Sequence, residues 1–133
     1  MTHNELLERA KNAKMDAYAP YSHFRVGAAL LGSSGRVYTG ANVENASYSV
    51  TCCAERVALF KAVTEGEREF DAIAITSDSE DLTWPCGVCR QALAEFGLRM
   101  DVIGSNKALD HKTIKLEALL PHAFTGKEME NGK

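Results

Sequence analysis

Three cysteines and one glutamate carry the chemistry this chain is equipped to do. Cys53 and Glu55 stand in one short motif, Cys53-Ala54-Glu55, and Cys86 and Cys89 in another, Pro85-Cys86-Gly87-Val88-Cys89. Three thiolates can hold a tetrahedral Zn²⁺ and leave its fourth position open for water, the arrangement of a catalytic centre rather than a structural one. Glu55, two residues from a ligand, is placed to serve that water as a proton shuttle. A structural zinc takes four protein ligands. His3, His23, His111 and His122 form no ligand-like pair with a cysteine. Cys52 adjoins Cys53 and would strain to reach the same metal, so it is read as a small buried residue or a bystander. A C-x-x-C alone also fits a structural half-site or a redox pair; the whole pattern favours catalysis.

Both motifs fall where helices are expected to start. A helix N-terminus offers unpaired N–H groups and a partial positive charge, which lower a thiol's pKa toward the thiolate a metal needs. Cys86 and Cys89 are three apart and share one face of a first turn. With Cys53 on a second helix, two helix starts meeting head to head would hold the metal between them. Three thiolates leave a Zn²⁺ site formally at −1, which makes its water less acidic than three neutral histidines would. Arg56, next to Glu55, is the candidate to offset that charge through hydrogen bonds to sulfur.

The elements that must position these residues follow from periodicity and turn chemistry. Thr2-His3-Asn4-Glu5 fits a capping box, with Leu6, Leu7, Ala10, Ala13 and Ala17 at helical spacing, so a first helix is expected over 3–17. Pro20 ends that region. Phe24 to Leu31 has the apolar density of a buried strand, Ser33-Ser34-Gly35 is a turn, and Arg36 to Gly40 completes a hairpin. Asn42 to Asn45 is a loop. Thr51 is the expected N-cap of a helix over 52–65, with Leu59, Phe60 and Val63 on its buried side. Ala72 to Thr76 is a strand, Ser77 to Trp84 an acidic loop, and Pro85 the first residue of a helix reaching Phe96. Strands at Asp101 to Gly104 and His111 to Lys115 precede a short helix at Leu116 to Leu120. Beyond Gly126 the chain turns polar and is expected to be loose. Helices between strands imply an α/β fold with a mixed sheet covered on both faces.

At 133 residues the chain is expected to be a single domain over 1–133, and its 45% apolar and 25% charged content is that of an ordinary globular protein. The net charge of −3 and the lack of a basic run argue against a polynucleotide substrate. No segment reads as membrane-spanning. Glu5, Glu8, Arg9, Lys11 and Lys14 exclude a signal-peptide core, so a cytoplasmic location is expected, where thiols stay reduced and are metal ligands more often than disulfides.

From about residue 5 to Phe124 the chain resembles the small homotetrameric cytidine deaminases. The resemblance is carried by Tyr18-Ala19-Pro20-Tyr21-Ser22, Phe24-Arg25-Val26-Gly27-Ala28-Ala29-Leu30, Asn42-Val43-Glu44-Asn45-Ala46, Cys53-Ala54-Glu55-Arg56, Pro85-Cys86-Gly87-Val88-Cys89-Arg90-Gln91 and Leu119-Leu120-Pro121-His122-Ala123-Phe124. The metal motifs alone identify a superfamily; the Asn42-x-Glu44 pair is the more specific signal. The resemblance implies an αβα sandwich with a five-stranded sheet, one Zn²⁺ held by Cys53, Cys86 and Cys89, and Glu55 moving protons from the metal's water to N3 and then to the leaving amine. It implies that Asn42 and Glu44 bind the ribose hydroxyls, that Phe24 packs on the pyrimidine, and that the Ala54 N–H meets the base carbonyl. It also implies that Tyr48 and Phe124 reach pockets of neighbouring subunits in a tetramer. Cytidine and 2′-deoxycytidine are the expected substrates. The rival readings are a deaminase of a cytosine-bearing antibiotic such as blasticidin S, an RNA or DNA base deaminase, and a structural zinc module. Trp84 stands where that family more often has a small residue.

Overall fold

The computed structural model describes residues 1–131 of the chain. A five-stranded mixed sheet in the order β2-β1-β3-β4-β5 forms its centre. The strands are β1 (Val26–Gly32), β2 (Val37–Ala41), β3 (Phe70–Ser77), β4 (Asp101–Ser105) and β5 (His111–Lys115). All neighbours run antiparallel except β3 and β4, which are parallel and are joined through a helical crossover. The helices are α1 (His3–Lys14), α2 (Ala54–Thr64), α3 (Gly87–Ala94), α4 (Leu116–Leu119) and α5 (Gly126–Asn131).

The period-2 alternation of the strands separates two cores. On one face Ala28, Leu30, Ile73, Ile75 and Val102 meet Ala54, Ala58, Leu59 and Ala62 of α2 and Leu93 of α3. On the other, Ala29, Ala72, Ala74 and Ile103 meet Leu6, Leu7 and Ala10 of α1. The result is the expected αβα sandwich. Alanines on the α1 side let that helix lie close to the sheet, while Leu and Ile fill the deeper α2 side.

Several boundaries differ from the sequence expectation, each for a local reason. The Thr2/Glu5 capping box forms as expected, but α1 stops at Lys14 rather than at residue 17. The Tyr18 N–H turns to the Asn42 carbonyl instead (2.9 Å). β1 starts at Val26, not Phe24, because the Phe24 carbonyl accepts from Asn42 Nδ2 (2.8 Å) and the Arg25 N–H donates to Asp78 (3.3 Å). Thr51 does not cap α2. Its hydroxyl accepts from the Asn45 N–H (3.1 Å), and Cys53 is the N-cap residue. Likewise Cys86, not Pro85, stands at the start of α3 as its N-cap, its sulfur accepting from the Cys89 N–H (3.5 Å). Phe60 is exposed rather than core, because the face of α2 that meets the sheet is Ala54, Ala58, Leu59 and Ala62. In the polar tail, Gly126–Asn131 form α5, with the Lys127 N–H on Thr125 Oγ1 (3.3 Å), and the last two residues lie outside the described ones. Among the described residues no helix is long and apolar enough to cross a membrane.

The position of α2 rests on a missing side chain. A Cβ at Gly40 in β2 would lie 2.5 Å from the Ala54 carbonyl oxygen and 2.6 Å from the Ala58 nitrogen, both backbone atoms of α2. Gly40→Ala must therefore push away the first turn that carries Cys53 and Glu55. We expect it to lower stability by about 3 kcal/mol, the upper end of overpacking costs, and to reduce zinc content per chain. Denaturant unfolding and metal analysis of the variant check both.

Candidate active site

The two cysteine motifs meet because α2 and α3 lie side by side on one sheet face with their first turns together. Cys53 immediately precedes α2, Cys86 immediately precedes α3, and Cys89 lies in the first turn of α3. The three sulfurs lie within 4.8 Å of one another, and Cys53 Sγ is 3.8 Å from Cys86 Sγ. Tetrahedral zinc with bonds of about 2.3 Å sets its sulfurs about 3.8 Å apart, whereas a disulfide needs about 2.0 Å. The donor set therefore fits zinc. Cys52 is outside the cluster, and its N–H and carbonyl bond Val43 (2.9 Å each). No fourth protein ligand joins the three among the described residues.

The cluster's electrostatics follow from its crowding. Hydrogen bonding from the Cys89 thiol, opposed by burial and aided by Arg56, brings Cys53 down to about 5. The same hydrogen bond to Cys53, together with burial, pushes Cys89 well above the ordinary thiol range. Arg56 Nη2 lies 3.7 Å from Cys53 Sγ and 3.4 Å from the Thr51 carbonyl oxygen, and the Cys53 contact raises the guanidinium pKa. Its Nε is buried without an acceptor among the described residues. Glu55 is 4% exposed, and burial pushes its carboxyl up to about 7, the range in which a carboxyl exchanges protons at neutral pH.

A cavity of about 340 Å³ opens onto this cluster. Cys53, Ala54, Glu55 and Cys86 line one end, and Ser22, Asn42 and Glu44 line the polar remainder, with Phe24, Thr83 and Trp84 on its walls. Glu44 is held rigidly: its Oε1 accepts the Tyr21 and Ser22 N–H groups (3.0 and 3.1 Å), and its Oε2 accepts the Ser22 hydroxyl. The Ser22 hydroxyl first, then the backbone donors, hold its pKa below the usual carboxylate range. Asn42 Oδ1 accepts the Val26 N–H (2.9 Å) while its Nδ2 donates to Phe24. Each amide group keeps one further bonding position for a ligand. Tyr48 and Phe124 are 76% and 58% exposed and do not line this cavity. Tyr48 lines an adjoining cleft with Tyr21 and Glu44. A depression of about 400 Å³ by Arg36, Tyr38 and Lys61 holds no comparable group of reactive side chains.

One supporting network escaped the sequence reading. Asp78 receives Arg25 through two nitrogens (3.0 and 3.1 Å) and Lys14 Nζ at 3.3 Å. It thereby pins the residue after Phe24 to the end of β3. The available signal was Lys14 four residues after Ala10, on the apolar stripe of α1. The Arg25 hydrogen bonds, ahead of the Lys14 charge, bring Asp78 down to about 2. A folded-state pKa below the ordinary 3.8 stabilises the protein above that value, and the gain is lost as the pH falls through about 2. We expect Asp78→Asn to cost about 3 kcal/mol at pH 7, since Lys14 stays buried without its partner. Urea midpoints measured from pH 2 to 7 should show a shallower acid limb in the variant.

Residues 1–105 match the family model for the cytidine and deoxycytidylate deaminase zinc-binding region. The chain is 47% identical over 132 residues to a cytidine deaminase of Halalkalibacterium halodurans, covering 98% of this chain and all of that one. It is 46% identical over 126 residues to a cytidine deaminase of Sporosarcina psychrophila, covering 94% of this chain and 93% of that one. The crystal structure of a cytidine deaminase from Burkholderia pseudomallei superposes with a TM-score of 0.90 at 47% identity, covering 93% of this chain and all of that one. With the matched zinc-binding region, the three convergent thiols and the shared sheet, this chain belongs to the cytidine and deoxycytidylate deaminase family.

Proposed function

We propose that this chain is a zinc-dependent cytidine deaminase of pyrimidine salvage, converting cytidine and 2′-deoxycytidine with water to uridine and 2′-deoxyuridine and releasing ammonia. The observation that carries the reading is a single cavity lined by Glu55, by Cys53 and Cys86 of the three-thiol cluster, and by the Asn42 and Glu44 side chains. That lining suits a base beside the thiols and a ribose beside Asn42 and Glu44.

Cys53, Cys86 and Cys89 hold the Zn²⁺, which when bound activates water as a nucleophile near neutral pH. Glu55 takes the two protons of the attacking water in turn, delivering the first to N3 as oxygen bonds C4 and the second to the amine as its bond to C4 breaks, work that suits a carboxyl whose pKa is raised by burial. Ala54 opens α2, so its N–H has no intrahelical partner and is available to the base carbonyl. Phe24, 39% exposed at the cavity wall, stacks on the pyrimidine. Asn42 and Glu44 take the ribose hydroxyls, and Arg56 offsets the thiolate charge. Tyr21, Phe24 and Tyr48 are exposed at the cavity and its adjoining cleft, and Phe124 is exposed elsewhere on the surface, which supports a homotetramer in which Tyr48 and Phe124 enter neighbouring sites. The acidic net charge supports free nucleosides rather than nucleic acids as substrates, and the charged residues of the first helix, which exclude a signal-peptide core, support a cytoplasmic enzyme.

The test is the ultraviolet absorbance change of cytidine with zinc-replete protein, run beside blasticidin S and a cytosine-bearing single-stranded oligonucleotide. Steady conversion of cytidine supports the reading. Conversion of blasticidin S or of the oligonucleotide without conversion of cytidine rejects it.

A further inference from the structure

Trp84 is the only tryptophan of the chain, and it lines the cavity beside Cys53 and Cys86. Its setting is rigid. Before it, the Thr83 N–H donates to the Ser105 carbonyl (3.0 Å) and the Thr83 hydroxyl pairs with that of Ser77 (2.5 Å). After it, Pro85 is fully buried and its carbonyl accepts from Arg90 Nε (2.8 Å). The indole lies against bare backbone: a Cβ at Gly104 of β4 would stand 2.7 Å from Trp84 Cε3 and 2.8 Å from Cδ2. Gly104 therefore makes the space that the ring fills, and the part-buried ring lies between β4 and the cavity.

The place of this wall relative to a bound pyrimidine follows from the elements around it, and rests on the deaminase reading. The reacting C4 lies at the thiol cluster. Ala54 and Glu55, both at the start of α2, take the carbonyl and N3 edge of the ring. Phe24 covers a face. The edge left beside C4 is carbon 5, and the wall of the cluster not supplied by α2 is the segment leading into Cys86, which carries Trp84 two residues earlier. We propose that Trp84 is a specificity-determining residue that closes the pocket at carbon 5 of the pyrimidine, so that 5-substituted cytidines are discriminated against while unsubstituted ones fit.

Two measurements test this. Turnover of 5-methylcytidine is compared with that of cytidine for wild type, Trp84→Ala and Trp84→Phe, with zinc content and circular dichroism confirming folded protein. The kcat/KM ratio of the methylated to the plain nucleoside is expected to rise about tenfold or more in Trp84→Ala, the scale of one methyl group in a tight pocket, and less in Trp84→Phe. Independently, titrating wild type with uridine is expected to change the emission of its sole tryptophan, saturating at the concentration at which uridine inhibits. A ratio unchanged within twofold, or an emission unmoved at saturating uridine, overturns the assignment of Trp84 in an enzyme that does deaminate cytidine. A wild type that fails to deaminate cytidine overturns the functional reading itself, and the two failures are thus distinguishable.

Discussion

Glu55→Gln is expected to lower cytidine turnover by about 10⁴-fold while leaving zinc content and fold intact, the upper range for loss of one acid–base group. Glutamine keeps the shape of the side chain and its place in the first turn of α2, but it can neither accept nor release a proton in the working pH range. The large factor reflects that one carboxyl is asked to serve several proton transfers in a single turnover. Stability should hold or rise. Burial lifts the folded-state pKa of Glu55 to about 7, so above the ordinary carboxyl value of 4.5 the folded chain loses stability, increasingly as the pH rises toward 7. A neutral amide removes that penalty. The variant is assayed by ultraviolet turnover, metal analysis and thermal unfolding together. Retained turnover at full zinc content would take Glu55 out of the proton path.

Cys89→Ser is expected to remove zinc and activity together and to lower the unfolding midpoint by about 15 °C. The thermal shift follows from linkage: a ligand that binds only the folded state at about a thousand times its dissociation constant adds about 4 kcal/mol. Cys89 is the ligand with no solvent exposure, at 0%, so a serine there has little access to compensating water. The loss of metal is separated from the loss of packing by treating wild type with a chelator. Its midpoint should fall close to that of the variant, and added zinc should restore the wild type alone. A variant that retains stoichiometric zinc would reject Cys89 as a ligand.

Both expectations rest on residues legible without a structure. Cys53, Cys86 and Cys89 stand at helix starts, and local motifs with fixed spacing keep their geometry in any fold that forms those helices. The central strands were legible for a similar reason: Ala72 to Thr76 and Ala28 to Leu30 are apolar enough to be buried on both faces. The errors cluster where a distant partner decided a local choice. Thr51 is a good N-cap by type, yet Asn45 took its hydroxyl and left the cap position to Cys53. Phe24 reads as strand, yet Asn42 took its carbonyl, which leaves its ring exposed beside the cavity instead of in the core. Phe60 and Leu59 are equally apolar neighbours, and only the contact with the sheet buried one and left the other in solvent.

The sequence by itself determined the donor set, the α/β alternation and the family, because each depends on residue types at short, fixed separations. Only the tertiary structure decided that two helix starts 33 residues apart in sequence bring Cys53 and Cys86 to 3.8 Å. It alone decided that Lys14 and Arg25 converge on Asp78, and that Gly104 makes room for Trp84 at the cavity wall. Those arrangements come from strand order and close backbone approach between segments far apart in the chain, which no local pattern encodes.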